Sequence, residues 1–129
     1  SAVFDRITGN AASLNVDGSL ELGLRAGFVP SLGSRFAIID AASIVGEFLQ
    51  VNTPTIDGRL FRIIRSHGDI EVLWTCEADA NLDGMLSTAD FNSWVLAFND
   101  QSPVCDQNGD GMCTIGDFNA WILNFNSGC

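Results

Sequence analysis

Residues 76–129 contain one unit written twice, 27 positions apart, and nothing else in the chain constrains its fold as tightly. Asp79, Asn81, Asp83, Gly84, Ser87 and Asp90 recur as Asp106, Asn108, Asp110, Gly111, Thr114 and Asp117. A helical pattern follows each set, with Phe91, Trp94, Val95 and Phe98 in the first copy and Phe118, Trp121, Ile122 and Phe125 in the second. Spacing of i, i+3, i+7 puts the aromatic residues on one face of each helix, and the two faces are expected to meet as a core. Leu96 and Leu123 fall off that stripe, so a second face is expected to be covered, by the rest of the chain or by a partner.

Each set spans a twelve-residue loop with oxygen side chains at positions 1, 3, 5, 9 and 12 and Gly at 6. That pattern suits Ca²⁺, which takes about six to eight oxygen ligands at roughly 2.3–2.6 Å. A chain wrapping around a cation turns alternate side chains inward and then needs positive φ to bend sharply, which Gly84 and Gly111 permit. Position 7, Met85 or Met112, offers only its carbonyl oxygen. Ser87 and Thr114 would serve directly or through water, and position 12 brings the last carboxylate, Asp90 or Asp117. Ordinary Asx turns use the same residue types. Two copies in register, each crowding three carboxylates that repel one another without a cation, favour the ion.

A sensor EF-hand has a helix on both sides of its loop. Here the first loop follows GDIEVLWTCEA, an alternating β-branched run that reads as a strand, so the entering helix is missing. A loop followed by one helix, duplicated, with Asp at position 12, resembles a dockerin domain, the small calcium-dependent module that plugs secreted proteins into cohesin domains of a scaffold. The paired Phe-Asn-x-Trp helices and the terminal Gly-Cys are similar to GC-type dockerins at the C-terminal ends of planctomycete secreted proteins. The resemblance covers residues 76–129. It implies two Ca²⁺ and a protein partner touched by loop positions 10 and 11 and helix positions 17 and 18. Those positions are Thr88, Ala89, Val95 and Leu96 in the first copy and Ile115, Gly116, Ile122 and Leu123 in the second. They are mostly apolar where the family has basic or hydroxyl residues, so calcium binding carries over and the identity of the partner does not.

Net charge is −10, with eight acidic and no basic residues in 76–129. Two Ca²⁺ would halve the charge of that segment. No basic face exists for nucleic acid, and an anionic membrane surface is disfavoured. Cys76, Cys105, Cys113 and Cys129 include no C-x-x-C pair, and the chain has one His, which argues against zinc and for disulfides in an extracellular or periplasmic setting. Cys105 and Cys113 sit at positions 0 and 8 of the second loop, where the first has Ala78 and Leu86. Those positions are expected to face each other, apolar in one copy and covalent in the other. A dockerin's ends lie side by side, which pairs Cys76 with Cys129, a bridge worth about 4 kcal/mol in the loop-entropy account.

Residues 1–75 read as short strands at 12–16, 19–25, 34–40, 46–51, 59–65 and 69–74, separated by turns. Asp17-Gly18 is a two-residue hairpin cue. The expected fold class is therefore α+β, with a small antiparallel β domain over 1–75 ahead of a duplicated calcium loop-helix module over 76–129. The β domain would be sandwich-like, jelly-roll-like or the cap of a solenoid. Its order of phrases resembles the C-terminal ends of secreted bacterial β-rich and autotransporter-like proteins. Val3, Phe4 and Ile7 form either a strand of this sheet or one that completes the sheet of a neighbouring subunit.

Catalysis has little to work with: no Tyr, no Lys, and a single His67 in a turn. Asp40, Glu47 and Glu71 read as the wet face of a sheet rather than a glycosidase pair. No apolar run reaches membrane-spanning length and no signal peptide is visible, so the chain is read as processed or as a piece of something longer. The function expected is that of a non-catalytic secreted protein assembled through a calcium-loaded module onto a cohesin-like scaffold. The alternative is a subunit that polymerises with copies of itself into an extracellular filament.

Overall fold

The computed structural model describes residues 6–9 and 12–128. Among them the chain is mixed α+β, with eight strands and two helices. It divides into two compact units, one formed by the residues up to Pro54 together with Phe61–Trp74, the other by Thr55–Leu60 and the chain from Thr75 onward. Among the described residues, no helix is long and apolar enough to cross a membrane.

In the first unit, β1 (Ile7–Thr8), β2 (Ser13–Val16) and β3 (Ser19–Glu21) are followed by β4 (Arg35–Asp40), β5 (Ser43–Gly46) and β6 (Gln50–Asn52). The pairing is parallel throughout these six: β1 with β4, β2 with β5, β3 with β6. Then come β7 (Arg59–Arg65) and β8 (Asp69–Cys76), and β8 runs antiparallel to β4 with an irregularity between Ala37 and Ile39. The largest sheet has the order β1-β4-β8-β7.

This differs from the mostly antiparallel arrangement expected from the short strands. Asp17-Gly18 does not close a hairpin. Gly18 has φ 68°, but its carbonyl accepts from Leu49 N–H (2.7 Å), and the bend becomes a corner that sends β3 to β6. The expected strand at 46–51 is split by a second corner. Gly46 there has φ 86°, and a Cβ at this position would fall on the carbonyl oxygen of Val16, so glycine is required twice over. Parallel strands need a crossover of a dozen or more residues. Here the crossover from β2 to β5 is itself β3, a loop and β4.

Stacked positions carry like residues: Ser13 on Ser43, whose hydroxyls bond at 3.0 Å, Leu14 on Ile44, Leu20 on Val51. The core holds Val16, Ile39, Ile44 and Ile70, with Leu14, Ile38, Ala41, Phe48 and Ile63 packed against it. Phe61 stands edge-on to both Phe36 and the fully buried Trp74, with ring centroids 6.3 and 4.8 Å apart. Of the N-terminal apolar residues, Ile7 pairs within this chain, in register with Ile39. Val3 and Phe4 lie outside the described residues.

In the second unit, α1 (Thr88–Asp100) and α2 (Ile115–Ser127) each begin at a capping box, Ser87 with Asp90 and Thr114 with Asp117. Each cap hydroxyl accepts from a first-turn N–H while the acid three residues on accepts from the cap's own N–H, which satisfies orphan donors reciprocally. Helix α1 stops where Gln101 turns left-handed at φ 55°. Ala78, Trp94 and Trp121 form the buried centre, packed by Leu86, Val95, Phe98, Phe118, Ile122 and Phe125 among others. Aromatic contacts cross from helix to helix, Trp94 to Phe118 at 5.6 Å and Phe91 to Trp121 at 5.5 Å, as the spacing predicts.

Candidate metal centre

The two acidic loops are built from nearly the same hydrogen bonds. At position 1, Asp79 accepts from the N–H groups of Asp83 (3.2 Å) and Gly84 (2.9 Å), and Asp106 from those of Asp110 (3.1 Å) and Gly111 (2.9 Å). At position 3, Asn81 and Asn108 accept from the N–H two residues on, at 3.1 and 2.9 Å. At position 5, Asp83 and Asp110 accept from Met85 and Met112, at 2.9 and 2.8 Å. Gly84 and Gly111 share φ 85°. A chain held this way turns sharply at position 6 in both loops.

Position 12 draws the ends of each loop together. Asp90 Oδ1 accepts from Ala80 and Asn81 N–H (3.0 and 3.2 Å) while Oδ2 accepts from Ser87 N–H (2.7 Å). Asp117 repeats this with Gln107, Asn108 and Thr114, at 2.9, 3.2 and 2.7 Å. Both carboxylates are fully buried. Burial opposes the charge of Asp117, but the N–H groups of Thr114, Asn108 and Gln107 outweigh it and hold the carboxyl below its ordinary range. Asp79, also fully buried, shows the reverse. Burial pushes its pKa up, the nearby Asp90 and Asp83 add to this, and the bonds from Thr75 and Gly84 do not compensate.

The donor set fits a hard cation. In the second loop, carboxylate oxygens of Asp106, Asp110 and Asp117 all lie within 4.8 Å of one another. Ligand atoms about 2.4 Å from one Ca²⁺ can be no more than about 5 Å apart. Among the described residues this threefold convergence occurs in the second loop alone. In the first, Thr75 Oγ1 donates to Asp79 Oδ2 (2.6 Å) and Asn81 Nδ2 to Asp83 Oδ2 (3.0 Å), so partners within the protein occupy those oxygens. Met85 and Met112 point into solvent, at 64% and 60% exposure, as expected if only their carbonyls matter. Ser87 and Thr114, expected as position-9 ligands, act here as helix caps, accepting from Ala89 and Gly116 N–H at 3.2 and 3.3 Å.

The copies are locked crosswise. Trp94 in α1 donates its indole N–H to the carbonyl of Cys105 (3.2 Å), which opens the second loop. Trp121 in α2 donates to Ala78 (3.1 Å), which opens the first. Cys105 and Cys113 stand at disulfide distance, with Cα atoms 5.6 Å apart. The expected partner of Cys76, Cys129, lies outside the described residues. Of the expected partner-contact positions, Thr88, Ala89, Leu96, Ile115, Gly116 and Leu123 are exposed, whereas Val95 and Ile122 are half-buried in the aromatic core.

Three residues of the site escaped the sequence reading. Thr75 is one. Gln107, buried at 5% exposure, donates to the carbonyls of Glu77 and Val104 (both 3.0 Å), and Asn124 donates to its side chain (3.0 Å). A signal existed, because Gln107 and Asn124 stand where the first copy has Ala80 and Ala97, so the repeat departs from itself at two positions together. Comparison with family models, curated proteins and solved structures returns no match.

Proposed function

We propose that this is a secreted, non-catalytic protein whose duplicated module, of dockerin type, is ordered by two Ca²⁺ and docks onto a protein partner. The observation that carries the reading is the recurrence of one hydrogen-bonded scaffold in two oxygen-rich loops, with three carboxylates converging in the second. Asp79, Asn81, Asp83, Ser87, Asp90 and the carbonyl of Met85 would hold one ion. Asp106, Asn108, Asp110, Thr114, Asp117 and the carbonyl of Met112 would hold the other. No Lys or Arg lies in 76–129 to neutralise these acids. Bound Ca²⁺ supplies that charge and stabilises the folded loops by mass action. The Cys105–Cys113 pair supports an oxidising, extracellular compartment.

Calorimetric titration with CaCl₂ of protein stripped by chelator tests this directly. Two sites per chain are expected, with Asp79→Ala and Asp106→Ala each removing one. Absence of binding heat, together with identical melting in chelator and in calcium, would sink the reading.

A second reading has one observation in its favour: Leu96, Ile115 and Leu123 on the helices are 64%, 76% and 68% exposed, more apolar surface than an ordinary solvated helix shows. In that reading the partner is another copy of the chain, in a filament. Sedimentation and electron microscopy of the calcium-loaded protein separate the two, since fibres favour self-assembly and monodisperse monomers favour a foreign partner.

A further inference from the structure

Strands β1–β3 and β4–β6 are successive turns of one coil. Their paired positions lie 32, 30 and 31 residues apart along the chain, Ile7 with Ile39, Ser13 with Ser43 and Ser19 with Gln50. The outer edge of the second turn is occupied along β4 and β5. β8 pairs with β4, Ala41 N–H donates to Gly68 (2.7 Å), Ile44 N–H donates to His67 (3.1 Å), and the Arg65 guanidinium donates to the carbonyls of Ile44 and Gly46. The ladder cannot grow in that direction from β4 or β5.

At the opposite edge, among the described residues, β1 is the outermost strand of its sheet and no strand or side chain pairs with the outer side of β2 or β3. The apolar columns end abruptly there. Ile7, Ile39 and Ile70 stack in one register, and their exposures are 56%, 2% and 1%. Leu14 is half-buried above the buried Ile44. Short paired strands with an apolar column open at one end are marginal without further stacking.

We propose that the outward edge of β1–β3 is a docking edge for one more parallel β-coil of similar length, carried on the same polypeptide ahead of β1. Chain order from the first turn to the second to the β7–β8 hairpin runs away from this edge, so a coil stacked on it precedes β1. A second copy does not supply the same pairing. Its far edge is occupied at β4 by β8 and at β5 by Arg65, and two β1–β3 edges related by a twofold axis meet antiparallel, which breaks the parallel register. The inference is independent of the calcium reading.

The test uses the whole chain extended ahead of Ser1 by a duplicate of residues 1–31, with a scrambled duplicate as control. Backbone hydrogen exchange is followed in β1, β2 and β3. The duplicate is expected to slow exchange of the outward amides by about tenfold or more relative to the scramble, since pairing converts solvated amides into ladder ones. Ile7→Asp places a charge at the open end of the column. It should leave the circular dichroism of the unextended chain unchanged and remove the slowing in the extended one. Equal exchange with duplicate and scramble, or slowing that survives Ile7→Asp, overturns the proposal. So does protection of the same amides in the unextended chain on raising its concentration, which would assign the edge to a second copy.

Discussion

At the scale of single residues, two aspartates in equivalent positions carry different loads. Asp79 is fully buried and accepts from Thr75, Asp83 and Gly84, whereas Asp106 is partly exposed. Removing either carboxylate strands backbone donors, but water can reach those around Asp106. In chelator, Asp79→Ala is therefore expected to cost about 3 kcal/mol and Asp106→Ala about 1 kcal/mol, read from urea unfolding by far-UV circular dichroism. Asp117 sets an acid limit. Its pKa is lowered on folding by backbone N–H groups despite burial, so its contribution is fully present above the ordinary carboxyl value of about 3.9. That stability is lost as pH falls through the depressed folded value. Asp79, whose pKa is raised by burial, works in the opposite direction, so the Asp117 contribution is read as a difference: in chelator, wild type should lose more stability below about pH 4 than Asp117→Asn does.

At the scale of elements, glycine and tryptophan do the specifying. Gly18 and Gly46 both turn corners at positive φ, yet only Gly46 has no room for a side chain. Gly18→Ala is expected to cost about 1 kcal/mol from backbone strain alone, and Gly46→Ala about 3 kcal/mol because a steric clash adds to it. Equal costs for the two would count against the coil. The helices report on each other's loops through the crossed indole bonds. Trp94→Phe and Trp121→Phe should each cost roughly 1 kcal/mol beyond lost packing, the worth of one hydrogen bond made in a dry site. The helices were legible in the sequence because capping boxes and i, i+3, i+7 spacing are local signals. Strands β2, β3, β4, β7 and β8 were nearly placed, β5 was missed, and the partners were not assigned. A period-two pattern says which side chains face inward and is silent on which strand lies alongside.

At the scale of the whole molecule, acidity is concentrated in 76–129, with no basic residue among its eight acids. If calcium binding relieves that repulsion, free Ca²⁺ at about 100-fold above Kd should stabilise the second unit by roughly 2.7 kcal/mol per site. Differential scanning calorimetry with and without chelator should then show a melting component that moves with calcium. The first unit has its own core of Val16, Ile39, Ile44 and Ile70, so a second component that stays in place is expected.

The sequence by itself determined the second unit's local chemistry: the loop oxygens, the glycine bends, the helix starts and the aromatic face. Each depends on groups within about a dozen residues of one another, whose spacing dictates which hydrogen bonds can close. Only the tertiary structure decided that β2 leaves β3 for β5, that Trp94 reaches Cys105 and Trp121 reaches Ala78, and that Gln107 is clasped by Asn124. Those choices rest on contacts between distant segments. They are settled by which apolar columns can stack and which buried polar groups can find partners, and no periodicity within a single segment encodes that.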